Sequence, residues 1–218
     1  MNMIATIKKR RTVADLLSKL GDIPPERVWL RPTPGTATEE DVLAIEAKEN
    51  RLCELIDGVL VEKTVGAYEC LLAHLIGYYL ENFLEEHDLG IVLGADGMLR
   101  ILVGQVRIPD VCFIPWSRLP ERRFPKEPIP GLVPALAVEV LSPSNTPKEM
   151  KRKLQEYFKA GVLVVWYVDP KNRTAKVYSS PRKGKLIQEH EALDGGSVLP
   201  GFSLPLRKLF ARADRKGR

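Results

Sequence analysis

The sequence predicts a mixed α/β (α+β) domain, a central sheet flanked by helices. Three observations predict it. The pair Asp57-Gly58 sits between two short apolar runs, as in a tight β-hairpin. A long helical pattern over residues 66–87 leads into several short strand-like runs. A second helical stretch, stopped by Gly161, feeds a nearly all-apolar strand at 162–168. Helices interleaved with strands make a layered sheet-and-helix core.

The chain has 218 residues, enough for one domain of ordinary size or one domain with an N-terminal extension. At 44% hydrophobic and 28% charged residues, it can bury a core. The net charge of +5 and pI near 9.1 permit a phosphate-rich partner, and describe an ordinary basic surface equally well. Cys53, Cys70 and Cys112 are odd in number and form no CxxC pair, which argues against zinc. Each lies in an apolar pattern and reads as a small core residue in a reducing compartment. Residues 1–11 are too short and too poorly ordered in pattern for a signal peptide. No apolar run approaches the ~20 residues of a membrane helix. The expectation is a soluble cytoplasmic protein with no membrane partner.

Taken in order, Thr12 to Gly21 has a capping residue, helical spacing of Val13, Leu16, Leu17 and Leu20, and a terminal glycine. A proline-rich connector over 23–38 leads to an acidic helix start at Thr38, with the helix running to about Lys48. These pieces, residues 1–49, read as a helical, proline-rich arm without chemistry. The hairpin covers 53–63. The helix over 66–87 presents Leu71, Leu72, Leu75, Ile76, Tyr79, Leu80, Phe83 and Leu84 as a broad apolar face. Strands are expected at 90–93, 98–103 and 107–115. A polar, proline-rich loop over 116–134 precedes a strand at 135–141. A turn and cap at 142–147 open the helix over 147–160. The strand at 162–168 and a hairpin from 174–178 and 186–189 close the sheet. From Arg207 onward the chain is basic and reads as a tail.

Two carboxylates stand out. Asp110 lies in Arg107-Ile108-Pro109-Asp110-Val111, and Glu139 in Leu136-Ala137-Val138-Glu139-Val140-Leu141, each the one acid of an apolar strand. An unpaired buried carboxylate costs several kcal/mol unless a proton or cation compensates it. Arg107 or Arg100 could pair with either acid. Two such acids on successive strands favour a shared divalent metal. Magnesium or manganese suits two carboxylates, a backbone carbonyl such as that of Val140, and waters. A metal-bound water could then attack phosphorus, with a lysine orienting it. The helix after Glu139 offers Lys148, Lys151, Lys153 and Lys159. At about 100° per residue, Lys151 and Lys153 flank the apolar face set by Met150, Leu154, Tyr157 and Phe158, so periodicity does not choose between them. No nucleophile elbow, phosphate loop or histidine ligand spacing is present.

Several segments together resemble one family. Glu54-Leu55-Ile56-Asp57-Gly58, Pro109-Asp110, Ala137-Val138-Glu139-Val140-Leu141-Ser142-Pro143-Ser144, Lys153-x-x-x-Tyr157, Trp166-Tyr167-Val168-Asp169-Pro170 and Leu199-Pro200-Gly201-Phe202 are similar to the motifs of the Uma-two family. This is a bacterial group of restriction-endonuclease-like proteins in the PD-(D/E)XK nuclease superfamily. The resemblance implies a restriction-endonuclease-like domain over 50–210, with residues 211–218 as a basic tail. It implies Asp110 and Glu139 as metal ligands, DNA as partner and substrate, and a homodimer where two strands are cut. The superfamily's lysine two residues after the second acid is replaced by Leu141, and the Lys-x-x-x-Tyr match selects Lys153 in its place. Glu54 in the hairpin and Glu69 on the first long helix are the further acids the resemblance brings to the site. Three functions compete: a metal-dependent DNA endonuclease, an inactive nucleic-acid-binding or regulatory module on the same scaffold, and a toxin-like or transposon-associated component.

Overall fold

A computed structural model describes residues 12–64 and 66–217. The stretch 1–11, where the signal-peptide expectation falls, and Arg218 of the basic C-terminus lie outside the described residues. The elements in chain order are helices α1 (Val13–Leu20) and α2 (Glu39–Glu49), strands β1 (Cys53–Ile56) and β2 (Val59–Glu62), and helix α3 (Ala67–Leu84). Strands β3 (Gly90–Leu93), β4 (Leu99–Leu102), β5 (Gln105–Arg107), β6 (Val111–Pro115) and β7 (Leu136–Val140) follow. Helix α4 (Pro147–Ala160) leads to β8 (Val164–Asp169), β9 (Thr174–Ser180), β10 (Lys183–Ile187), β11 (Ala192–Asp194), β12 (Ser203–Pro205) and helix α5 (Leu206–Ala213).

The strands build a four-stranded sheet, β2-β1-β5-β4, and a six-stranded one, β10-β9-β8-β7-β6-β3; β11 and β12 pair separately. The larger sheet is mixed, because β7 and β8 run parallel while its other pairs are antiparallel. A parallel pair needs a crossover, and α4 supplies it. Thr146 caps α4 in a capping box with Glu149, Pro147 opens it, and Gly161 in the left-handed region ends it.

Alternation along β7 then sets the layers. Leu136, Val138 and Val140 face a core shared with α3 and α5. Ala137 faces the opposite core, with Met150, Leu154 and Tyr157 of α4. Glu139 has the parity of Ala137, so it points toward α4. On β1, Cys53 and Leu55 face α2, while Ile56 packs with Leu20 and Leu17 of α1. Glu54, with the parity of Ile56, points away from α2. Helix α4 lies where both sheets can reach it.

The single strand expected at 107–115 is two strands. β5 belongs to the four-stranded sheet and β6 to the six-stranded one. The chain crosses between them at Ile108-Pro109-Asp110. Pro109 has no N–H to give to a ladder. The Ile108 N–H instead donates to Glu54 Oε1 at 3.1 Å, and the Asp110 N–H donates to Val138 O at 3.1 Å. Ile108 therefore joins the core under the four-stranded sheet, while Cys112 and Ile114, expected on its face, join the other.

Two further readings change. Cys70 is exposed on α3, while Cys53 and Cys112 are buried as expected. The stretch from Arg207 is helical as far as Ala213: Leu206, Leu209 and Phe210 are buried, and Arg207 and Lys208 face out.

The arm also touches α4. Gly21 ends α1 with φ 99°, and its carbonyl accepts the Thr146 hydroxyl. A Cβ there would lie 2.6 Å from the Glu149 backbone. Gly21→Ala combines left-handed strain with overpacking and is expected to cost about 2 kcal/mol or more in urea unfolding. An unchanged midpoint would show that the arm does not press on α4.

Candidate active site

The junction of the two sheets gathers the acids. Glu54 comes from β1, Asp110 from the crossover before β6, Glu139 from β7 and Lys153 from α4. They border one small cavity, together with Glu69 of α3, Val140, Lys63 and Arg27. All five side chains expected at a site are therefore at this junction. Asp110, Glu139, Glu54 and Lys153 are each less than a tenth exposed. The cavity measures about 20 Å3, room for about one water-sized body. A wider cleft opens beside it, sharing Glu69, Ser142 and Asn145 and walled further by Tyr68, Leu141, Pro143, Met150 and Lys171.

The contacts are specific. Lys153 Nζ lies 2.8 Å from Glu139 Oε1 and 3.0 Å from Glu54 Oε1. Tyr157, one helical turn on, donates its hydroxyl to the same Glu139 oxygen at 2.5 Å. This is the spatial meaning of the Lys-x-x-x-Tyr spacing: one face of α4 brings an ammonium and a phenol to one carboxylate. Lys151 is exposed. The Lys153 and Tyr157 contacts both fall on Glu139 Oε1. Asp110 Oδ2 accepts the Val140 N–H at 2.7 Å, and Oδ1 lies 2.9 Å from Lys63 Nζ.

Neither arginine offered by the sequence pairs with Asp110. Arg100 pairs with Glu39. Arg107 is 2% exposed and bridges Glu54, at 2.6 Å, and Glu156 of α4. Its role is to neutralise the layer behind the cavity. Gln105 turns elsewhere and donates to Asp57.

Sequence reasoning missed Lys63 and Arg27. Arg27, in the connector before α2, makes a two-point contact with Glu149, at 2.8 and 3.0 Å, and also donates to Glu62 O. It ties the arm to the start of α4. A lone arginine in a proline-rich connector carries no pattern that marks such reach. For Lys63, the one signal was its place at the end of a hairpin whose first strand carries Glu54.

The charges compete. Burial raises the Glu139 carboxyl; Lys153 opposes the rise, Asp110 and Glu54 add to it, and the group is pushed up to about 7. Burial also works against the Glu54 carboxylate, but Lys153 and Arg107 overcome it and hold this acid well below the usual range. Burial disfavours the Lys153 ammonium, yet Glu139 and Glu54 outweigh it and keep the lysine charged. Burial and Glu139 raise the Tyr157 phenol, which therefore stays a donor.

No group of three or more His, Cys, Asp or Glu arranged to hold a metal exists among the described residues. The donor chemistry nonetheless fits one small divalent ion. The Lys153 and Tyr157 contacts fall on one Glu139 oxygen, Oε1, Asp110 retains lone pairs beyond its two contacts, and all donors are oxygen. Magnesium takes few protein carboxylates and keeps several waters. A fully protein-ligated cage does not fit.

A mixed sheet with α3 and α4 on opposite faces, and buried acids with a lysine at the sheet junction, define a restriction-endonuclease-like domain. Residues 39–207 match the model of the Uma2 family, described as "Putative restriction endonuclease". The chain belongs to this family. Among solved structures it is similar to one described as a "putative nuclease", from Anabaena variabilis, with a TM-score of 0.65 and 17% identity over 74% of this chain and 91% of that one. At that identity the likeness carries the fold alone. No curated protein matches the chain. No helix among the described residues is long and apolar enough to cross a membrane.

Proposed function

We propose that the protein is a metal-dependent endonuclease that hydrolyses phosphodiester bonds in DNA. One observation carries this reading: four separate elements bring Glu54, Asp110, Glu139 and Lys153 to one cavity that opens on a wider cleft. Asp110, Glu139 and the backbone carbonyl of Val140 would hold one Mg2+ or Mn2+. Such an ion, when bound, acidifies a water and offsets charge developing on phosphorus. The protein's own groups do the rest. Lys153 steers the attacking water and stabilises the negative charge of the transition state. Glu54 positions Lys153. Tyr157 and the Val140 N–H fix the orientation of Glu139 and Asp110. Glu69, at the mouth shared with the cleft, is the acid placed to meet the incoming strand. Cutting both strands would require two such sites, so a homodimer belongs to this proposal.

The direct test is incubation with single-stranded, linear and supercoiled DNA and Mg2+ or Mn2+. Cleavage that a chelator and Asp110→Ala both abolish is expected. No cleavage with either metal, or cleavage that survives Asp110→Ala, would end the proposal.

Metal binding should depend on pH, because an ion at Glu139 must displace a proton. With that carboxyl raised to about 7, its charged form is nearly complete at about pH 8 and about a tenth populated at about pH 6. Mg2+ affinity is expected to fall about tenfold over that interval. Calorimetric titrations at both values check this; equal affinities would contradict it.

One observation favours a second reading, an inactive binding or regulatory module. Glu54, Asp110 and Glu139 each already have a buried cationic partner from the chain itself. That reading expects salt-sensitive DNA binding, without cleavage, that survives Asp110→Ala.

A further inference from the structure

Lys63 follows directly on β2, and its side chain is 7% exposed. Its ammonium has three donors, and each has an oxygen. Nζ lies 3.0 Å from Ala95 O, 2.7 Å from Ile108 O and 2.9 Å from Asp110 Oδ1. Two backbone carbonyls and a carboxylate are the ligand set of a hard divalent cation. The cage is assembled by two separate parts of the fold: the turn before β4, which gives Ala95 O, and the sheet crossover, which gives Ile108 O and Asp110 Oδ1. The ammonium meets an oxygen with each of its three N–H groups, which offsets its desolvation.

We propose that Lys63 is a built-in cation, occupying the position at Asp110 where a second divalent ion would otherwise be held, so that the pocket is confined to a single ion beside Glu139. This rests on the metal-dependent reading above. Glu139 borders the same cavity but takes its cationic partner from Lys153, not from Lys63. The cavity that remains is small, about 20 Å3. Lysine at this point gives fixed charge without exchange, so Asp110 stays neutralised and oriented between metal-binding events. Lys63 and Lys153 then divide the work: one balances Asp110 permanently, the other faces the reacting phosphate.

Mn2+ titration of the full chain, read by calorimetry and by melting temperature, tests this in wild type and Lys63→Met. Wild type is expected to take one ion per chain. Lys63→Met, close in length and without charge, should take one more ion, and Mn2+ should raise its melting temperature more than that of wild type. If the variant folds only when Mn2+ is present, that too supports the proposal, because the ion has replaced the ammonium. Two ions in wild type, or no additional ion in a folded Lys63→Met, would overturn it. A variant that Mn2+ cannot restore to the fold would overturn it as well. The two readings fail separately. No ion in wild type but one in Lys63→Met supports the Lys63 assignment and ends the metal-dependent function; two ions in wild type with DNA cleavage does the reverse.

Discussion

Arg107→Met is expected to destabilise the protein by about 3–5 kcal/mol, a large part of the stability of an ordinary domain. Arg107 is 2% exposed, and its guanidinium is shared by Glu54 and Glu156, both buried. Methionine fills much of the volume but leaves two carboxylates facing each other in the interior. Glu54 keeps Lys153 and the Ile108 N–H, and Glu156 keeps Arg152. The loss is therefore that of one buried cation, not of the whole network. The sign of its pH dependence follows. Losing Arg107 removes one of the two cations that hold the Glu54 carboxyl low, so this acid takes up a proton at higher pH in the folded variant than in folded wild type. The deficit against wild type should shrink as the pH is lowered toward the ordinary carboxylate range. Urea unfolding at neutral and mildly acidic pH reads both effects. A loss under about 1 kcal/mol would show that Arg107 does not neutralise this layer.

Lys153→Met should reduce DNA cleavage by about 100–1000-fold, the size of effect seen when one transition-state donor is removed. Some stability is lost with this buried cation, less than with Arg107, because the Glu139 carboxyl is already raised to about 7 and can take up a proton. Glu54 retains Arg107, and Glu139 retains Tyr157 and gains whatever divalent ion is supplied. Lys153→Arg should not rescue, because a planar, forked guanidinium does not fit between two carboxylate oxygens at 2.8 and 3.0 Å from one nitrogen. Lys151→Met, on an exposed face of α4, should cleave as wild type does. Cleavage rates compared at saturating metal check the set. Activity of Lys153→Met within a few-fold of wild type would remove the lysine from the chemistry.

Much of the fold could be read from local pattern. Thr146, Pro147 and Gly161 bound α4 in sequence as they do in space, because caps act within a few residues. Asp57 and Gly58 turn the first hairpin with φ 51° and 74°, as that pair favours. The alternation that isolated Glu139 in β7 is the alternation that points it at α4. Where the pattern misled, distance along the chain was the reason. The run 107–115 alternates as one strand would, and only the pairing partners of each half show that it serves two sheets. Arg107 was offered to Asp110 as a neighbour in sequence, but the crossover at Pro109 sends the two side chains to different partners. Lys63 reaches carbonyls 32 and 45 residues away, and Arg27 reaches an acid 122 residues away. Nothing local encodes such pairs. Leu206, Leu209, Phe210 and Ala213 have the helical spacing of α5, but its arginines and lysines give the same stretch the composition of a basic tail.

In the proposed function, Asp110 and Glu139 together hold a divalent ion. Calorimetric titration of Mg2+ and Mn2+ into wild type, Asp110→Asn and Glu139→Gln tests it most directly, since each amide keeps the shape and removes the charge. Binding in wild type, weakened at least about tenfold in each variant, is the predicted result. No binding in wild type, or equal binding in all three proteins, would contradict it.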